Sequence, residues 1–183
     1  MKKITYLVAF LIIAIGFLGC ATSSNVVQET GQEAEQEGRH YERAGGFSIM
    51  IPDAWEVHEM PGLKYKVLAG QTENNFTANI TFADEEFDGS LDEYVDATIA
   101  QLKNLFGDNI EILQRGEFVT SKNLRGERVA VNTMQYGRYY RQIFYCFPGN
   151  GVTMIAACTA TAESGEAFAN MFDRTMQTFE WTQ

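Results

Sequence analysis

Only a small set of side chains in this sequence could do chemistry. There are two histidines and three cysteines in 183 residues. General-base or metal-ligand work by histidine needs a partner at a fitting spacing. His40 lies in a polar tract, and His58 follows an early strand with nothing beside it that favours a Ser-His-Asp arrangement, so it reads as an exposed or half-packed side chain. There is no G-x-S-x-G elbow, no phosphate-cradling glycine loop and no H-E-x-x-H pair. Asp84, Glu86, Asp88, Gly89 and Asp92 mimic part of a calcium loop, but Val95 stands where the bidentate glutamate belongs. Acidic residues ahead of a helix are also explained by its dipole. The expectation is a chain that is not an enzyme, with no catalytic residue, no cofactor and no metal.

Cys146 and Cys158 flank the turn "PGNG" at residues 148–151. A two-residue turn at 149 and 150 sets Cys146 opposite Thr153 and puts Cys158 further along on the other face, too far for a disulfide. Two buried free thiols are expected. The strand "QYGRYYRQIFYCF" is the one stretch with the composition of a binding surface, because Tyr and Arg are enriched at interface hot spots. Arg138, Tyr139 and Arg141 are the candidate partner-facing residues, with ordinary strand and core-edge roles as the alternative.

The elements that would position these groups follow from hydrophobic period. Phe47, Ile49 and Ile51 alternate until Pro52, Trp55 and Val57 resume the ladder, and residues 63–69 form another strand. Phe76, Ala78, Ile80 and Phe82 alternate with Thr77, Asn79 and Thr81, predicting a strand with one wet face. The period then becomes 3.6, with Leu91, Val95, Ile99, Leu102 and Phe106 on one stripe, a Ser90/Glu93 capping box and a terminating Gly107. A second helix is predicted over 164–179, presenting Phe168, Met171, Phe172, Thr175 and Phe179. Between the helices lie strands near 110–119, 124–136, 138–147 and 151–159, whose short turns force antiparallel pairing. The last two are apolar at both parities and belong mid-sheet. The fold class is α+β, an antiparallel sheet layered with helices.

Ahead of this domain, Met1-Lys2-Lys3 and the apolar run 4–18 have a signal peptide's layout. A membrane span needs roughly 20 apolar residues, so a permanent transmembrane anchor is the alternative. Phe17-Leu18-Gly19-Cys20 resembles a bacterial lipoprotein signal, with Phe17 where leucine is usual. That resemblance implies cleavage after Gly19 and acylation of Cys20 by diacylglyceryl and palmitate-like chains. It also implies an envelope location, and Ala21 leans toward an outer membrane and its periplasmic side. Residues 20–45 are polar and acidic, a composition that cannot offset its own ordering entropy, and read as a flexible spacer. About 25 loose residues reach roughly 25 to 30 Å. Loss of Lys2 and Lys3 with the leader leaves 12 basic residues against 24 acidic ones, a formal charge of −12. That sign disfavours nucleic acid and anionic lipid.

Phe47-Ser48-Ile49-Met50-Ile51-Pro52-x-x-Trp55, the central helix, the long strands and the closing Thr178-Phe179-Glu180-Trp181 resemble the PsbP/Mog1-like superfamily over residues 46–183. The resemblance implies a sheet of six or seven antiparallel strands flanked by helices in α/β/α layers, and roles in binding and assembly. No functional residue carries over from it. The expected function is a lipid-anchored envelope protein acting as a non-catalytic binding or assembly module for a protein partner. A small-ligand binder with a pocket between sheet and helix is the alternative.

Overall fold

Alternating apolar side chains in the middle of the chain lay down a seven-stranded antiparallel sheet. The structure is a computed structural model, and it describes residues 37–182. The strands of the large sheet are β3 (Glu56–His58), β4 (Val67–Glu73), β5 (Phe76–Glu85), β6 (Ile110–Val119), β7 (Arg125–Gln135), β8 (Arg138–Gly149) and β9 (Val152–Thr161). Their order is β3-β4-β5-β9-β8-β7-β6. A three-stranded sheet of β1 (Arg39–Glu42), β2 (Phe47–Met50) and β10 (Glu180–Trp181) packs beside it, with β2 in the centre. Helix α1 (Leu91–Phe106) follows β5, and α2 (Gly165–Gln177) follows β9. This is the expected α+β class.

The two faces of the large sheet are buried by different means. On one, Ile80, Phe82, Ile143, Tyr145, Phe147, Met154, Ala156 and Cys158 meet Phe172 and Met176 of α2 and Phe47, Ile49 and Phe179. Aromatic contacts run through this layer: Phe147 and Phe179 stack at 4.6 Å, and Phe47 lies 5.4 Å from Phe179. On the other, Ala83, Val129, Val131, Phe144, Cys146, Ile155 and Ala157 meet Tyr94, Val95 and Leu102 of α1. Strands β8 and β9, buried at both parities, sit mid-sheet as their sequences require.

Ion pairs fix each helix on its face. Arg115 of β6 contacts Asp92 and Asp96 of α1 and donates from Nε to Glu127 of β7 at 2.8 Å. On the opposite face, Arg128 Nε and the Tyr145 hydroxyl both donate to Asp173 Oδ1 of α2, at 2.8 and 2.5 Å. Burial pushes the Tyr145 and Tyr94 phenols well above their ordinary range, so both stay protonated donors. The α1 capping box forms as predicted: Glu93 N–H donates to Ser90 Oγ at 3.2 Å, and Ser90 N–H to Glu93 Oε2 at 2.8 Å.

Five expectations are corrected. The face of β5 expected to be wet is buried, with Thr77, Asn79 and Thr81 only 2–3% exposed. Their polar groups bond within the sheet: Asn79 Nδ2 donates to the Thr77 carbonyl at 2.9 Å, and the Thr72 and Thr77 hydroxyls lie 2.6 Å apart. The β8–β9 turn is centred one residue later, on Asn150-Gly151, so Cys146 faces Ile155 rather than Thr153. β4 starts at Val67 because Leu63 N–H closes a turn onto the Met60 carbonyl, with Gly62 at φ 87°. Finally α2 stops at Gln177, where the Thr178 hydroxyl donates to the Thr175 carbonyl at 2.6 Å, freeing 180–181 to pair with β2. Residues 39–42, grouped by composition with the spacer, form β1 through pairing with β2.

Candidate functional site

One end of the large sheet gathers three connections: the β4–β5 turn at Asn74-Asn75, the β7–β8 turn at Tyr136-Gly137, and the β9–α2 link over 162–164. A two-residue turn that matches strand twist needs positive φ at both positions. Asn74 and Asn75 meet this at 51° and 58°, as residues that tolerate the left-handed region do. Tyr136 meets it at 52°, before Gly137 at 77°. A bulky residue there is an outlier held by its surroundings. Its ring gains nothing from the fold, since Tyr136 is 98% exposed.

The sequence-derived candidates cluster at this end. Tyr139 is 60% exposed, and its carbonyl accepts from Ala162 N–H at 3.0 Å. Arg138 donates from Nη2 to the Asn74 carbonyl at 2.9 Å, tying two turns together. Arg141 is half-buried, donates from Nε to Asn132 Oδ1 at 2.8 Å, and underlies the start of α2, where a Cβ on Gly165 would press against its side chain. Arg138, Tyr139, Gly137, Asn132, Thr161 and Glu163 line a surface cleft of about 520 Å³. Beside it a hollow of about 210 Å³ opens between Phe76 and Ala78 of β5 and Phe168 of α2. Sequence reasoning passed over Tyr136. Its signal was available in Tyr-Gly at the tip of a hairpin, where Asn-Gly is the expected pair.

The other chemistry-bearing residues are dispersed. Asp84 pairs with Lys64 at 2.8 Å and Asp92 with Arg115, so the calcium-like spacing does not converge. Among the described residues no three His, Cys, Asp or Glu groups come together as a metal site. His58 lies on edge strand β3 with Glu56 Oε2 at 3.5 Å. His40, inside the small sheet, has Glu42 Oε2 at 3.5 Å. Burial lowers its pKa against the pull of Glu42, and nearby Lys66 lowers it further. Cys146 and Cys158 are free and buried on opposite faces. Burial pushes the Cys146 thiol up to about 12 and Cys158 well above its ordinary value, so neither forms a thiolate at neutral pH. Cys20 lies outside the described residues, and among these no helix is long and apolar enough to cross a membrane.

Two flanking helices on a seven-stranded antiparallel sheet, with a small sheet at its side, make this a PsbP-like α+β fold. The solved structures it is similar to include cyanobacterial PsbP (CyanoP) from Synechocystis sp. PCC 6803, at TM-score 0.61 and 9% identity, covering 83% of this chain and 98% of that one. LpqN, involved in cell envelope biogenesis of Mycobacterium tuberculosis, matches at TM-score 0.58 and 14% identity over 87% and 93% of the two chains. A Pseudomonas aeruginosa protein of unknown function and putative regulator, PA94, matches at 0.53 and 14% over 72% and 88%. Identities this low show a shared fold. No protein-family model and no curated protein sequence matches the chain.

Proposed function

We propose that this protein is a lipid-anchored envelope protein whose domain is a non-catalytic binding or assembly module, and that it meets a protein partner through the turn end of its sheet. The observation that carries this reading is Tyr136, a fully exposed aromatic held at positive φ beside Tyr139, Arg138 and Arg141. Exposed Tyr and Arg contribute most of the energy of many interfaces once a partner desolvates them. Acylation of Cys20 tethers the domain to the outer membrane on its periplasmic side, since several acyl chains hold where one is marginal. LpqN, with its role in envelope biogenesis, supports the envelope setting.

The test is in-cell photocrosslinking from a probe residue at 136 or 139, with the same probe at exposed Lys103 of α1 as the control position. Membrane pull-down is expected to recover one defined adduct from 136 and 139 and none from 103, and the Cys20→Ala chain is expected to lose it. Equal adducts at all three positions, or none at 136 and 139, would remove this surface from consideration. The hollow of about 210 Å³ between β5 and α2 favours the small-ligand reading. It is smaller than the roughly 300–1,000 Å³ typical of ligand sites.

A further inference from the structure

We infer that a second copy of this chain docks on the open edge of β6 by antiparallel pairing centred on Gly116. Strand β6 ends the strand order of the large sheet, so its outer backbone groups have no strand partner among the described residues. An unpaired edge is a template for another strand unless it is short, bulged or charged. This edge is ten residues long; its one bulge lies between Ile112 and Gln114, and the regular stretch from Gln114 to Val119 carries one charge of each sign, Arg115 and Glu117, and so is neutral overall.

Three observations select a copy of the chain as the occupant. Val119, exposed at 42%, stands three places beyond Gly116, so a two-fold axis there sets it against the exposed bulge residue, Leu113, of the other copy. Arg115 and Glu117 likewise fall opposite one another, giving two cross-strand pairs of opposite sign. Opposed residues share a face of a continuous sheet, so the axis must pass through a residue. Centring on Arg115 or Glu117 would oppose like charges, and centring on Gln114 or Phe118 would separate Leu113 from Val119. Gly116 itself has no role within the fold: its φ is not positive, and an added Cβ would meet nothing within 4 Å. A glycine inside a strand often marks the close approach of another backbone. Within one copy Arg115 already contacts Asp92, Asp96 and Glu127, and Glu117 contacts Arg125, so the cross-strand pairs set register more than they add affinity.

The decisive experiment is disulfide trapping in the Cys20→Ala background, where the native thiols at 146 and 158 are buried. Residues paired across antiparallel strands have Cα atoms about 4.5–5.5 Å apart, within reach of a disulfide. Under mild oxidation Gly116→Cys should give a covalent dimer at least tenfold more than Glu111→Cys. Chains carrying Arg115→Cys should bridge to chains carrying Glu117→Cys when mixed, and neither should bridge alone. This second arm stands if Gly116→Cys misfolds. Sedimentation of the unmodified chain should move from monomer to twice that mass with rising concentration, and Val119→Lys should abolish the shift. Equal bridging at 111 and 116, no excess of the mixed 115–117 bridge, or a monomer at all concentrations would overturn the inference.

Discussion

Strand β8 begins after one tight turn and ends at another, and the two have the same backbone but different occupants. Asn150-Gly151, at φ 52° and 77°, uses the residues that this geometry favours. Tyr136-Gly137 has the same pair of angles with an aromatic in the first place. The Asn150 turn is also braced: Trp181 Nε1 donates to the Pro148 carbonyl at 3.2 Å, and Phe147 behind it stacks on Phe179. Behind Tyr136 a single arginine reaches across to the next turn. Folding thus accounts for every residue of one turn, while Tyr136 is left to be explained by what lies outside the domain.

The contrast can be broken first at its braced end. Phe147→Ala should cost about 3–5 kcal/mol in chemical denaturation, as for a large buried aromatic truncated in a packed core. A smaller value would mean that the stack does not hold this end. Next in size, Gly149→Ala should cost about 1–3 kcal/mol, because the new methyl would overlap the Trp181 ring. Gly137→Ala meets no atom, so only its positive φ opposes it, and the cheaper loss of the two should be at 137.

Exchanging the turn residues gives a smaller and opposite pair of effects. Tyr136→Asn should stabilise the domain by up to about 1 kcal/mol while weakening the proposed partner adduct, and Asn150→Tyr should destabilise it by a similar amount with the adduct intact. If Tyr136→Asn destabilised the fold, Tyr136 would have a structural role and the contrast would disappear.

The smallest effect concerns pH. His40 pairs with Ile49 in the small sheet, and burial lowers its folded pKa, so the unfolded chain binds more protons as the medium turns acid. Stability from this group is complete above the ordinary value of 6.5 and is lost as pH falls below it. Melting temperature should fall less steeply below pH 6.5 in His40→Gln. Amide protection, corrected for the intrinsic pH dependence of exchange, should fall in β1 and β2 but not around Tyr136.

How much of this was legible in sequence depends on what each signal reports. Helix α1 was readable because stripe, cap and stop agree: Ser90, Glu93 and Gly107 bracket it where expected, whereas α2 has a stripe but no side-chain cap and its end lies earlier than its stripe. The central position of β8 and β9 was readable because apolar residues at both parities leave no wet face. The face of Thr77, Asn79 and Thr81 was misread, since a polar side chain that bonds within its own sheet tolerates burial and leaves no mark in hydropathy. The β8–β9 register slipped because Gly149, Asn150 and Gly151 all suit a turn, and Trp181 packing on Gly149 keeps that residue in the ladder opposite Val152. At the candidate site, composition exposed Arg138, Tyr139 and Arg141, whereas the exposure of Tyr136 depends on where the turn falls.

Arg39, the first residue of the first strand, donates from Nη1 to Ser48 Oγ at 2.9 Å and to the Thr178 carbonyl at 3.1 Å, and pairs with Glu180 at 3.0 Å. The entrance of the chain is therefore clasped to its exit. Tension arriving from residues ahead of Gly38, as a tether to a bilayer would exert, is shared between β1, the end of α2 and β10. A four-residue strand alone would peel away bond by bond. With the clasp, the mechanical load falls on the first and last strands of the domain at once.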